Sequence, residues 1–103
     1  MKTIRVTYTV KQEFAAKNQE NIQLFLEEVK RIADPDMRYL VLLDEDGKTF
    51  SHISIYKNDE SQYKFLNLES FKVFQKQRDE SGLEKEPAIE SYTLIDSSHN
   101  LFS

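Results

Sequence analysis

An α+β fold with the element order β-α-β-β-α-β follows from three features of the 103-residue sequence. A strictly alternating segment opens the chain, two stretches of helical apolar period follow at separate places, and between these lie two apolar runs joined by an Asp-Gly turn. The runs Met37-Arg38-Tyr39-Leu40-Val41-Leu42-Leu43 and Phe50-Ser51-His52-Ile53-Ser54-Ile55-Tyr56 flank Asp44-Glu45-Asp46-Gly47-Lys48. An Asp-Gly pair in that setting is the mark of a type I′ hairpin, which needs positive φ at both central residues. With Asp46-Gly47 as the turn, Leu43 faces Phe50, Val41 faces His52, Tyr39 faces Ser54 and Met37 faces Tyr56. The other side carries Arg38, Leu40, Leu42, Ser51, Ile53 and Ile55. Both sides are largely apolar, so each needs a cover. The sequence leaves open which of them meets the helices.

Residues 3–11 form the first strand, with Ile4, Val6, Tyr8 and Val10 on one face and Thr3, Arg5, Thr7, Thr9 and Lys11 on the other. Residues 12–17 connect it to a helix, with Phe14 as an anchor. The first helix is expected over residues 18–33, with Asn18 or Asn21 as N-cap and a buried stripe of Ile22, Phe25, Leu26, Val29 and Ile32. Asp34-Pro35-Asp36 ends it, because a residue before proline is pushed out of the helical region. A second helical region starts after the hairpin, with Asn58 or Asp59 as N-cap. Tyr63, Phe65 and Leu66 mark its first piece, Phe71, Phe74 and Arg78 its second, and Ser70 is a candidate cap at the break between them. Gly82 stops it by tolerating a left-handed conformation. A last strand is expected over residues 88–96. Residues 1–96 then make one domain, followed by a tail over 97–103 in which Leu101-Phe102 is the apolar element. This is a ferredoxin-like plan with both helices on one sheet face. The opposite face is left for a second copy, and a homodimer through the sheet face is the expected assembly.

Composition excludes several classes of function. Basic residues are scattered among acids and the net charge is −4, which argues against a nucleic-acid partner. No apolar run approaches the roughly 20 residues of a membrane span. The start Met1-Lys2-Thr3-Ile4-Arg5 lacks the apolar core of a signal peptide, so the expected setting is cytoplasmic, with no membrane partner. Without cysteine there is no disulfide, thiol nucleophile or thiolate site. There is no glycine-rich phosphate loop and no His-Glu-x-x-His, and the two histidines, His52 and His99, are far apart. Asp44-Glu45-Asp46-Gly47 lacks the spaced ligands of a calcium loop. Neither a metal nor a cofactor is expected.

The candidate site centres on His52, whose predicted face also carries Tyr39, Ser54 and Tyr56. As an active site, His52 is the base and Tyr39 and Tyr56 the hydroxyl donors, in a cavity between sheet and helices. Arg38, Tyr8, Phe65 and Tyr63 are the candidate ligand-binding residues, for a small hydrophobic or aromatic molecule. The same pattern also describes a hydrogen-bonded histidine in a core or interface, with the aromatics as packing. Arg5 and Arg38 suit a substrate carboxylate, or an interfacial ion pair with Glu90.

Two stretches carry a family resemblance: residues 50–61, ending Ile55-Tyr56-Lys57-Asn58-Asp59-Glu60-Ser61, and Phe65-Leu66-Asn67-Leu68-Glu69-Ser70-Phe71-Lys72-Val73-Phe74. In these and in element order the chain resembles the dimeric α/β-barrel superfamily, and within it the antibiotic-biosynthesis-monooxygenase-like proteins. The resemblance implies a dimeric α/β barrel and a cofactor-independent monooxygenase-like activity on a small aromatic or polyketide-like molecule. The chain departs from the family pattern where Tyr56 stands for the usual tryptophan, Phe65 for a helix histidine, and Leu68-Glu69-Ser70 for a Ser-Pro-His step. Thr7 or Tyr8 and Gln75 fill the positions that the haem-degrading branch gives to asparagine and an iron-ligating histidine, so haem degradation is not implied. The alternative from a different class is a non-catalytic dimeric module that binds a small ligand or simply assembles.

Overall fold

Alternating β-branched and polar residues make Lys2–Thr9 the first strand, β1. The structure, a computed structural model, describes residues 1–102. Strand β1 is followed by helix α1 (Ala15–Ile32), hairpin strands β2 (Met37–Leu43) and β3 (Thr49–Tyr56), helices α2 (Asp59–Leu66) and α3 (Glu69–Glu80), and strand β4 (Lys85–Thr93). The strands form one antiparallel sheet in the order β2-β3-β1-β4. This is the expected ferredoxin-like α+β arrangement, with the second helical region split in two.

The hairpin register is the predicted one at all four pairs: Leu43 with Phe50, Val41 with His52, Tyr39 with Ser54 and Met37 with Tyr56. The turn is not. Asp44 N–H donates to Thr49 O and Gly47 N–H to Asp44 O, so residues 45–48 close a four-residue loop. Only Gly47 takes positive φ there, at 76°. The Asp46 carboxylate accepts from the N–H groups of Lys48 and Thr49, and these side-chain bonds hold the wider loop in place of a type I′ turn.

Helix α1 begins three residues before the expected start, because a 3₁₀ turn over Gln12–Phe14 runs directly into it. Asn18 and Asn21 are therefore not caps; both are buried within the helix. Ala33 ends it in the left-handed conformation, φ 51°. Asn58 caps α2 as expected, its side chain accepting from Ser61 N–H at 2.9 Å. The break before α3 falls at Asn67-Leu68, where Asn67 Nδ2 closes α2 on the Tyr63 carbonyl. Ser70 lies inside α3 and caps nothing. Strand β4 starts three residues before the expected Ala88, since its ladder with β1 resumes beyond a register shift between Thr7 and Thr9. Pro87 falls in that shift, where no ladder N–H is needed.

The helices cover the face that carries Tyr8, Met37, Tyr39, Phe50, His52 and Tyr56, and their core is aromatic: Phe25, Phe65, Phe71 and Phe74 pack on it. The open face carries in-register rows such as Leu40, Ile53, Arg5 and Glu90. Beyond β4 the tail adds one bond to the sheet, Leu94 N–H to Met1 O, and returns Phe102 to the opposite edge, where the Arg38 guanidinium sits 4.9 Å from its ring. The expected tail runs to residue 103; its last residue lies outside the described residues.

An added Cβ at Gly47 meets no atom within 4 Å, so only backbone conformation opposes a side chain there. Gly47→Ala is expected to lower stability by about 1 kcal/mol in urea unfolding, with an unchanged m-value.

Candidate functional site

Neighbouring strands β1 and β3 bring Tyr8 and His52 together, and β2 adds Tyr39 from the other side of His52. The Tyr8 hydroxyl lies 2.8 Å from His52 Nε2 and the Tyr39 hydroxyl 2.7 Å from Nδ1. From α1, Asn18 Nδ2 donates to the Tyr8 oxygen at 2.9 Å. Proton positions are assigned from this network. Because Tyr8 accepts from Asn18, it turns its own proton to Nε2, and the imidazole proton sits on Nδ1 and is donated to Tyr39. Both ring nitrogens are then occupied by the protein itself.

The network is sealed by aromatic rings. His52 is 4% exposed, Phe25 stacks on it at 6.2 Å and Phe74 lies 5.4 Å away. Burial, reinforced by the positive charge of Arg78, lowers the imidazole from its usual 6.5 to about 3. Burial likewise pushes the Tyr8 and Tyr39 phenols well above their usual value. His52 is thus neutral at physiological pH, and so are its two partners. Arg78, itself buried, lies over the Tyr8 ring at 5.2 Å and bonds Asp79 through Nε at 3.0 Å.

The other predicted site residues divide among three places. Tyr56 and Phe65 are buried together at 6.4 Å, and Phe65 also packs on Tyr39 at 4.9 Å. Tyr63 is 70% exposed on α2, away from the network. Arg38 points to the open side of the sheet, bonding the carbonyls of Pro35 and Met37. Within the chain, Arg5 donates to Thr7 Oγ1, and Glu90 accepts from the Tyr92 hydroxyl. A cleft of about 230 Å³ between α1 and β2 is lined by Leu26, Val29, Met37 and Tyr39, with Lys30 and Arg38 at its rim. Among the described residues, no three His, Asp or Glu side chains gather where they could hold a metal ion, and no helix is long and apolar enough to cross a membrane.

Asn18, Arg78, Phe25 and Phe74 complete the site, and reading for catalytic residue types misses all four. One signal was available for Asn18: it lies four and seven residues before Ile22 and Phe25, on the buried stripe.

No protein-family model and no curated protein matches this sequence. Solved structures do. One described as an antibiotic biosynthesis monooxygenase superposes with a TM-score of 0.80 at 11% identity, covering 93% of this chain and all of that one. A proposed antibiotic biosynthesis monooxygenase from Nitrosomonas europaea gives 0.81 at 15% identity, covering 93% of this chain and 100% of its own. Rv0793 from Mycobacterium tuberculosis gives 0.79 at 11% identity, with 95% and 98% covered. The chain has the fold of the antibiotic biosynthesis monooxygenases. Two of the positions at which the sequence departs from the family pattern, Tyr56 and Phe65, are both buried and pack on each other.

The buried imidazole makes stability depend on pH. The unfolded chain takes up a proton below about 6.5, whereas the folded chain refuses it down to about 3. Stability from this group is therefore fully present above pH 6.5 and is lost as pH falls, by about 1.4 kcal/mol per unit. In chemical denaturation the stability gap between the wild type and His52→Gln is expected to narrow between pH 7 and pH 4. Tyr8→Phe, which strips a partner from both His52 Nε2 and Asn18, is expected to cost about 1–3 kcal/mol at pH 7.

Proposed function

We propose that this chain is a non-catalytic dimeric module that keeps the monooxygenase fold, pairs with a second copy through its open sheet face, and binds a small hydrophobic ligand or serves assembly alone. One observation carries the reading: His52 is closed in by Phe25 and Phe74, with both ring nitrogens hydrogen-bonded to Tyr8 and Tyr39. A general base needs a lone pair within reach of the substrate and a pKa near the working pH. This imidazole has neither. Pairing is supported by the open face, where Leu40 and Leu42 are exposed beside Ile53, and Arg5 and Glu90 carry charges without an ion-pair partner among the described residues. In a two-fold arrangement each such patch meets its own copy.

A cofactor-independent monooxygenase-like enzyme acting on a small aromatic or polyketide-like molecule is the second reading. It is favoured by the activity named for the structural neighbours and by the cleft beside Tyr39. In it, an acidic C–H of the substrate gives its proton to solvent, the carbanion adds O2 to form a peroxide, and loss of water from the peroxide leaves a carbonyl. A panel of phenolic substrates in an oxygen electrode separates the readings. Uptake no faster than in buffer is expected; uptake that Tyr39→Phe abolishes would establish the enzyme. For the pairing, Ile53→Lys is expected to remove association through the open face, lowering the sedimentation coefficient in sedimentation velocity with an unchanged circular dichroism spectrum.

A further inference from the structure

The two edges of the sheet are built differently. Strand β4 has Lys85, Glu86 and Pro87 and a register shift against β1, all of which discourage another strand from adding. Strand β2 has none of these. It is seven residues long, free of proline and glycine, and paired in unbroken register with β3 alone.

Its hydrogen-bond parity is fixed by the bonds at its two ends. Asp44 N–H reaches Thr49 O, and Lys57 N–H reaches Asp36 O, so the even-numbered residues of β2 direct their backbone groups to β3. The odd-numbered residues point theirs outward. Met37 O is taken by the Arg38 guanidinium at 2.8 Å. Tyr39, Val41 and Leu43 each present an N–H and a C=O with no partner among the described residues. Between them Leu40 and Leu42 are 41% and 52% exposed.

We propose that this edge is a second self-association surface, on which β2 of another copy adds antiparallel about a two-fold axis at Val41. That register sets Val41 against the partner's Val41, and Tyr39 against the partner's Leu43. Three residues, each with one donor and one acceptor, then close six hydrogen bonds between the copies. It also sets Arg38 directly opposite the partner's Asp44 on the same face, twice over, while Leu40 meets the partner's Leu42. Arg38 and Asp44 are of opposite sign, so this pair is complementary when the strand is reversed, while Asp36 in the same register faces the partner's Asp46 beyond the ladder. The backbone edge is distinct from the open sheet face, from which Arg38, Leu40 and Leu42 project beside it.

Sedimentation equilibrium of the full chain tests it. Val41→Pro removes an outward N–H, which the ladder to β3 does not use, and keeps a small apolar ring where the Val41 side chain packs on the core. It is expected to weaken self-association by about tenfold or more while circular dichroism stays native. Arg38→Asp is expected to weaken association as well, and Arg38→Asp/Asp44→Arg to restore it, a rescue that no folding defect would produce. Association insensitive to Val41→Pro and Arg38→Asp but lost in Ile53→Lys overturns the edge and leaves the face. A wild type that is monomeric at high micromolar concentration overturns both, and leaves the edge to a strand from another protein.

Discussion

A neutral imidazole held between two phenols, inside a shell of phenylalanines, is the constraint on which this fold turns. Burying an unpaired polar ring between Phe25 and Phe74 would cost several kcal/mol. Tyr8 and Tyr39 remove that penalty only because β1, β2 and β3 hold the three side chains at 2.7–2.8 Å. Strand order, hairpin register and the position of Asn18 on α1 therefore all bear on one hydrogen-bonded chain. Arg78 contributes a charge beside it that helps keep His52 unprotonated.

The same arrangement sets what the sheet can do elsewhere. Three helices cover one face, so every polar and aromatic group of the network is committed to that side, and the other face is left with leucine, isoleucine and unpaired charges. In a monomer this is apolar surface in water, and edge β2 adds unpaired backbone groups to it. The chemistry of the chain is thus directed outward, toward contacts, while its most reactive-looking residues are turned inward. A shared fold does not by itself carry an activity, since function resides in the site and not in the scaffold.

Much of the architecture was legible from residue order. Alternation defined β1, two apolar runs about an Asp-Gly turn defined the hairpin strands, the apolar period defined the helices, and hairpin symmetry fixed all four register pairs, because a slip of one residue would exchange the two faces. Turn type was not legible, since the Asp46 carboxylate competes with the backbone for the same N–H groups. Nor were the helix starts: Asn18 and Asn21 have the chemistry of caps, and only packing against Tyr8 shows Asn18 to be a core donor.

His52 shows where reading by residue type stops. Sequence by itself determined that His52 shares a face with Tyr39 and Tyr56, because a strand's side chains alternate with period two. Whether that face opened on a cavity or closed on a core depended on how far α1 and α3 approach the sheet, and on which side chains fill the gap. Phe25 and Phe74 lie 27 and 22 residues away in sequence from the imidazole they enclose, at distances that no local pattern encodes. Tertiary packing alone decided that the histidine is a buried strut, because burial and hydrogen-bond partners, not residue identity, set its charge and its reach.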